Sequence, residues 1–286
     1  MKINSAQLEA FYTIAKTLNF TRAAELLNVT QSALSQRIAK LEEELEITLF
    51  IRDRTSIRLT EAGEQVLRYC QVSDAAESDL FSKLKNTKDD LAGILRIGGF
   101  SSANRSLVIP ALKNMMQKNP RLSIHLMTKE IHELEGLLRS SEADYIFTNK
   151  KSTFLGVENH FLGHEENVLV RSKKSSNDEI YLDHDEIDAM TREYFSLNKI
   201  SVKPSNVRYL DDVYGLIDGV KNGYGKAILP MHLIENEKDL EVLEPKRVLK
   251  VPVYLQFYSQ PYYRKVHAAF LKDVSEYFKK HLRQEK

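Results

Sequence analysis

The stretch that most constrains this chain runs from Thr30 to Leu45, where Leu34, Ile38, Leu41 and Leu45 recur at i, i+4, i+7 and i+11. That spacing puts one apolar stripe along a helix that must bury it on neighbours. The neighbours lie immediately upstream. Asn4 followed by Gln7 reads as a capping box for a helix carrying Leu8, Phe11, Ala15 and Leu18. Asn19-Phe20 ends that helix, and Thr21 is the expected N-cap of a short helix over residues 22–27. Ala23 and Ala24 are small enough for a close helix crossing, Asn28-Val29 makes a tight turn, and Thr30 caps the striped helix. Two short helices joined this way describe a helix-turn-helix.

The other face of the third helix carries Ser32, Ser35, Gln36, Ala39 and Lys40. Short hydroxyls and a small alanine let a helix approach base edges, and glutamine can contact adenine through two hydrogen bonds. Gln31 and Ser32 lie at the positive helix end, which suits phosphate or base contact. The same face also reads as an ordinary solvated surface. The residues downstream of the helix favour nucleic acid: Leu49-Phe50 is an apolar anchor, and residues 52–60 look like a hairpin with Arg52, Arg54 and Arg58 near its tip. Such a wing reaches a minor groove or flanking phosphates.

Net charge is no guide here. The 286 residues hold 41 Lys+Arg against 40 Asp+Glu, and residues 1–60 are nearly balanced as well. Within that module, however, Glu42, Glu43, Glu44 and Glu46 collect at one helix end, leaving residues 19–40 and 51–60 each positive by two. A charge average can hide a polarised module.

Phe11, the run Asn19-Phe20-Thr21-Arg22-Ala23-Ala24-Glu25-Leu26-Leu27-Asn28-Val29-Thr30-Gln31-Ser32-Ala33-Leu34-Ser35-Gln36-Arg37-Ile38, then Leu41–Leu45, Leu49–Arg52 and Leu59-Thr60-Glu61-Ala62-Gly63 together closely resemble the LysR-type transcriptional regulators. Two positions depart from the pattern: Ser32 stands where the family has proline, and Glu46 where it has glycine. The resemblance implies an N-terminal all-α winged helix-turn-helix (residues 1–60), a long linker and dimerisation helix with a hinge (61–90), and a C-terminal α/β, two-lobed, periplasmic-binding-protein-like effector domain. Lobe one is expected over 91–160 with 260–286, and lobe two over 161–259. The expected DNA-contacting set is Thr21, Arg22, Thr30, Gln31, Ser32, Ser35, Gln36, Arg37, Lys40, Arg52, Arg54 and Arg58. Implied partners are double-stranded operator DNA, a small-molecule effector, a second copy through the linker helix with a homotetramer beyond it, and RNA polymerase if the protein activates.

Thr60 caps the expected linker helix, which contains no proline to about Asn86 and only Gly63 in its first turn. Val66, Tyr69/Cys70, Ser73, Ala76/Glu77, Leu80 and Leu84 form an imperfect heptad, which calls for a partner helix. Cys70 reads as a small filler in that seam. As the only cysteine it has no resolving partner for a redox switch, and it excludes an internal disulfide framework. Thr87-Lys88-Asp89-Asp90 reads as a hinge.

Beyond it, strands and helices alternate, as in an α/β domain with a largely parallel sheet. Residues 94–97, 122–127 and 144–148 read as strands, with a helix over 131–139. Further on, 167–171, 194–197, 207–210, 227–229 and 251–258 read as strands. Asp211-Asp212 starts a helix, and the last helix carries Tyr262, Val266, Phe270, Val274, Tyr277 and Phe278. Ligands bind beyond the carboxyl ends of such strands. Gly98–Ser102 lies at a strand-to-helix junction, where Ser101, Ser102 and backbone N–H groups can hold an anion such as a carboxylate. A serine there also reads as a plain N-cap. Thr128, Thr148 and Asn149 follow the next two strands and are expected to line the same crevice.

Other chemistries find little support. The eight histidines form no HExxH, His160 and His164 read as part of a polar connector, and no cofactor or metal is expected. There is no P-loop or nucleophile elbow, so an enzyme fused to a DNA-binding module is the lesser reading, as is an architectural DNA binder with no effector. No apolar run approaches a membrane span and the start lacks a secretory leader, which places the expected protein in the cytoplasm.

Overall fold

The structure is a computed structural model that describes residues 4–52, 56–85, 91–174, 179–186, 190–200 and 206–284. It divides into two compact units, Met1–Asp89 and a second carrying Asp90–Leu138 with Glu142–Lys286.

The first unit is built from α1 (Ser5–Thr17), α2 (Phe20–Leu26), α3 (Gln31–Leu45), the hairpin β1 (Phe50–Arg52) and β2 (Ile57–Leu59), and α4 (Glu61–Lys85). The capping box at α1 is present: Asn4 Oδ1 accepts from Ala6 N, and Gln7 Oε1 accepts from Asn4 N. The second cap differs from expectation. Asn19, not Thr21, is the N-cap of α2; its extended backbone lets Oδ1 accept from Arg22 N at 3.0 Å, which moves Thr21 into the first turn. Thr30 caps α3 through Ala33 N, as expected.

Leu34, Ile38 and Leu41 are fully buried, together with Phe11, Ile14, Ala23 and Leu49. Phe50 closes the core against Phe11 and Phe20, with ring centroids 5.1 and 6.0 Å away. α3 ends where Glu46 turns left-handed at φ 56°, so the turn for which the family uses glycine is kept with a side chain in place. Thr60 caps α4 through Gly63 N.

The linker helix corrects a second expectation. Leu67 and Cys70 are buried in the core of the first unit, with Ala62 and Val66 packed beside them. Cys70 therefore belongs to that core and not to a seam between copies. Tyr69 and Leu80 are exposed. The residues expected to form the hinge, Thr87–Asp90, lie outside the described residues.

In the second unit nine described strands form one mixed sheet, with α5 (Ser101–Ala103), α6 (Ile109–Ala111) and α7 (Lys113–Lys118) between its first two strands and α8 (Ile131–Arg139) after the second. The strands are β3 (Gly93–Gly99), β4 (Leu122–Thr128), β5 (Tyr145–Thr148), β6 (Val157–Ser172), β7 (Tyr181–Asp183), β8 (Val207–Tyr209), β9 (Lys226–Pro230), β10 (Leu240–Leu243) and β11 (Leu249–Tyr258). The order is β4-β3-β5-β11-β6-β9-β7-β8, with β10 on β6. Two parallel groups, β4-β3-β5 and β9-β7-β8, are joined through antiparallel β11 and β6. The largely parallel sheet expected from the sequence is thus two parallel lobes on an antiparallel spine.

The spine has no break at Phe161. β6 runs through that point with a bulge: Val253 pairs with Gly163 and Tyr254 with Phe161, leaving Leu162 unpaired and buried in the first-lobe core. Gly163 takes φ 134°, a backbone only glycine adopts readily. His160 and His164 lie in this strand, not in a connector. A third correction concerns residues 194–197, which end a helix, α9 (Met190–Leu197). Thr191, Tyr194 and Phe195 bury one helical face, and a short aromatic run cannot be told from a strand by composition. The closing helix α12 (Lys265–His281) buries Val266, Phe270, Val274 and Phe278 in the first-lobe core, with Phe270 against Tyr145 and Phe278 against Phe147 of β5, while Tyr262 lies outside it and is exposed.

Candidate nucleic-acid interface and ligand crevice

On α3 the buried Leu34–Ile38–Leu41 stripe fixes which side faces out. Gln31, Ser32, Gln36, Ala39 and Lys40 are exposed, with Ser35 and Arg37 half-buried beside them. Ser32, Gln36 and Lys40 are successive i, i+4 neighbours, so they form one row along the helix. The Ser32 hydroxyl is 3.0 Å from that of Thr30, so the cap and the first residue of the row share a hydrogen bond. Lys40 approaches Glu44 at 4.0 Å, an exposed pair of little energetic weight. Thr21 and Arg22 are exposed on α2, and Thr30 is exposed at the α3 start.

The wing is an antiparallel hairpin, Phe50 pairing with Leu59 and Arg52 with Ile57. Arg52 and Arg58 are exposed, while Arg54 lies outside the described residues. The Arg52 guanidinium stands over the Phe20 ring, 4.3 Å from its centroid, which orients the wing against α2. From sequence, Glu42 is only part of an acidic helix end. Its Oε1 accepts from Leu49 N at 2.6 Å and Phe50 N at 3.2 Å, so it ties α3 to the wing. Burial pushes the Cys70 thiol up to about 11, which keeps it protonated and unreactive.

In the second unit the parallel register sets Gly99 beside Thr128 and Phe147. The strand ends leading to Ser101, Thr128, Thr148 and Asn149 therefore share one carboxyl edge. Asn104, which no sequence motif marks, knits that edge: its Nδ2 lies 3.0 Å from Gly99 O, Met127 O and Thr128 Oγ1. Thr128 is otherwise exposed, Thr148 is buried in the β5–β11 ladder, and Asn149 is half-buried with an unpartnered Oδ1.

Ser101 does not face open space. Its hydroxyl donates to Asp212 Oδ1 at 3.1 Å across the crevice, and Asp212 Oδ2 caps α10 (Val213–Lys221) through Tyr214 N and Gly215 N. A carboxylate thus occupies the position expected to receive an anion. Ser102 is buried, and its carbonyl accepts from Ser106 Oγ. The regular helix at this junction is only Ser101–Ala103 long before a π-wound turn over Asn104–Val108, so it offers a weak dipole.

Further contacts between the lobes come from residues no motif flagged. Arg105 lies over the Tyr214 ring at 4.0 Å. Ser106 Oγ is 3.2 Å from His232 Nδ1, and His232 Nε2 is 2.9 Å from Glu165 Oε1 in a buried pair. A hollow of about 460 Å³ lies elsewhere in the second lobe, between Met231, Ile234, Leu240 and Val242, and touches none of the expected site residues. His184, Asp185 and Asp211 bring ligand-capable atoms within 4.8 Å of one another at the ends of β7 and β8.

Each of the two units matches a known family. Residues 5–64 match the family model described as "Bacterial regulatory helix-turn-helix protein, lysR family", and residues 88–279 match "LysR substrate binding domain". The chain belongs to the LysR family. The HTH-type transcriptional activator IlvY of Haemophilus influenzae is 31% identical to this LysR-family chain over 143 residues, 50% of the chain and 49% of that protein. The chain thus spans about half the length of that curated relative. The HTH-type transcriptional regulator YofA of Bacillus subtilis is 24% identical over 249 residues, 82% of the chain and 84% of the relative. Among solved structures, full-length LysG from Corynebacterium glutamicum with bound effector Arg superposes with a TM-score of 0.81 at 17% identity, covering 98% of this chain and 100% of that one. At that identity the likeness is one of fold. No helix among the described residues is long and apolar enough to cross a membrane.

Proposed function

We propose that the chain is a cytoplasmic transcription regulator that reads double-stranded operator DNA with α3 and the wing, under control of a small molecule bound between the lobes of its second unit. The observation that carries this reading is the exposed Ser32–Gln36–Lys40 row on a helix whose opposite face is fully buried. A helix held this rigidly can present side chains to a major groove. Gln31, Ser32, Ser35 and Gln36 read bases, Arg37 and Lys40 meet phosphate, and Arg52, Arg54 and Arg58 serve the wing, with Thr21, Arg22 and Thr30 on the flanking backbone.

The exposed Tyr69 and Leu80 on α4 support pairing of two copies through that helix, and a tetramer multiplies the half-sites engaged. The working division is residues 1–60 for DNA, 61–90 for pairing, 91–160 with 260–286 for one effector lobe and 161–259 for the other. Ser101, Ser102, Thr128, Thr148 and Asn149 edge the crevice. With Asp212 opposite Ser101, a polar effector that tolerates a nearby carboxylate suits it better than a simple anion. An effector shifts the lobes only by its differential affinity for two arrangements. RNA polymerase is the further partner if the bound protein activates.

The test selects operators from a random duplex pool with the full-length protein, then measures Gln36→Ala and Arg58→Ala on the selected site. Gln36→Ala should relax sequence preference, and Arg58→Ala should weaken all sequences alike and reduce the salt dependence. Unchanged affinity and preference in both would remove the assignment of this face. For the crevice, a broad metabolite screen by thermal shift should find a stabilising ligand whose effect Asn149→Ala diminishes.

A further inference from the structure

Glu165 and Asn167 stand two residues apart on β6, so their side chains leave the same face of the sheet. Asn167 pairs across the sheet with Pro230, and His232 lies two residues further on, at the start of α11 (Met231–Ile234). His232 then hydrogen-bonds Glu165 on one side and Ser106, from the first lobe, on the other.

On the same face of β6 as Glu165, both polar atoms of the Asn167 amide, Nδ2 and Oδ1, have no hydrogen-bond partner among the described residues. Asn167 is only 1% exposed. An amide with both ends unpaired in the interior is disfavoured, and an apolar residue of similar volume would cost the fold less. Such residues persist where function uses them.

Resting on the reading of this crevice as the effector site, we propose that Asn167 forms its selective polar subsite, and that the group taken there carries a hydrogen-bond donor beside an acceptor, as a carboxamide does. The amide of Asn167 asks for both partners at once. A bare carboxylate satisfies Nδ2 but sets a second acceptor against Oδ1, close to Glu165. A carboxamide satisfies both ends and adds no charge. Asn167 stands two residues from Glu165, whose partner His232 bonds Ser106 of the first lobe, so occupancy of this subsite is coupled to that inter-lobe contact.

The experiment compares matched amide and acid probes on the full-length protein by thermal shift and calorimetry: L-glutamine with L-glutamate, L-asparagine with L-aspartate, and nicotinamide with nicotinate. The expected result is that the amide of at least one pair raises Tm while its acid does not. Asn167→Leu should lose that response by at least tenfold in affinity while its own ligand-free Tm is no lower than wild type. A shift equal for acid and amide, or one that survives Asn167→Leu, overturns the proposal. So does a lowered ligand-free Tm in Asn167→Leu, which marks Asn167 as a structural residue bonded to water only. Acid-only binding abolished by Asn149→Ala leaves the crevice as the effector site and rejects the amide subsite. A flat response to all three pairs rejects the carboxamide class, and the crevice then stands or falls on the broad metabolite screen.

Discussion

Glu42 accepts the backbone N–H of Leu49 at 2.6 Å, and the same oxygen also takes the N–H of Phe50. One carboxylate near the end of α3 thereby fixes the strand that begins the wing. Leu49 is fully buried, so its N–H has no water to turn to. Glu42→Ala should destabilise the first unit by about 1.5–3 kcal/mol, the range for a charge-assisted bond whose loss leaves a buried donor unpaired. Urea denaturation of the full chain measures this. A loss no larger than that of Glu43→Ala would show that Glu42 is only one of the helix-end acids.

Glu46 holds φ 56° at the end of α3, a conformation that costs a residue with a Cβ about 1–2 kcal/mol. Part of the gain on replacement is offset by the greater freedom of glycine in the unfolded chain. Glu46→Gly should therefore stabilise the first unit by about 0.5–1 kcal/mol. A rise in the urea midpoint at unchanged slope is the expected readout, and a fall would mean the Glu46 side chain contributes a contact of its own.

Gly63 sits in the first turn of α4 where any Cβ would run into the carbonyl oxygen of Leu49. The obstacle is backbone, which also accepts from Thr60 N and cannot move aside cheaply. Gly63→Ala should cost about 2–3 kcal/mol, in line with overpacking at a tight contact. It should also weaken operator binding more than Gly136→Ala does, since a Cβ at Gly136 meets nothing within 4 Å.

His267 is buried beneath Tyr263, with its Nδ1 2.8 Å from Tyr145 Oη, and burial lowers its pKa from 6.5 to about 4. Between those values the unfolded chain binds a proton that the folded one does not. Stability therefore falls as pH drops from about 6.5 towards 4, and is fully present above that window. After allowance for partial solvation the contribution is about 2 kcal/mol. His267→Gln should flatten the dependence of Tm on pH across that window, and an unchanged slope would assign it to other groups.

Local chemistry makes much of the first unit legible from its residues alone. A 3.6-residue stripe, a Thr30 cap and a glycine in the first turn of α4 all depend on residues a few positions apart. Even there the departures are instructive. Asn19 outcompetes Thr21 as a cap because its amide oxygen already reaches Arg22 N. Cys70 joins the core because the first turns of α4 find apolar partners in their own unit. In the second unit, residues 194–197 are helical because burial of Tyr194 and Phe195 on one face decides between two periodicities that four residues cannot distinguish.

By itself the sequence determined the family, the helix-turn-helix, the face of α3 that points outward and the alternation of strands and helices, because each is written in short-range spacing. Tertiary structure alone decided the crevice. Its defining contacts join residues 111 and 126 positions apart, Ser101 to Asp212 and Ser106 to His232. No periodicity connects such pairs; they meet only because antiparallel β6 and β11 carry the chain between the lobes. That crossing also set Asp212 opposite Ser101 and buried Asn167 two residues from Glu165.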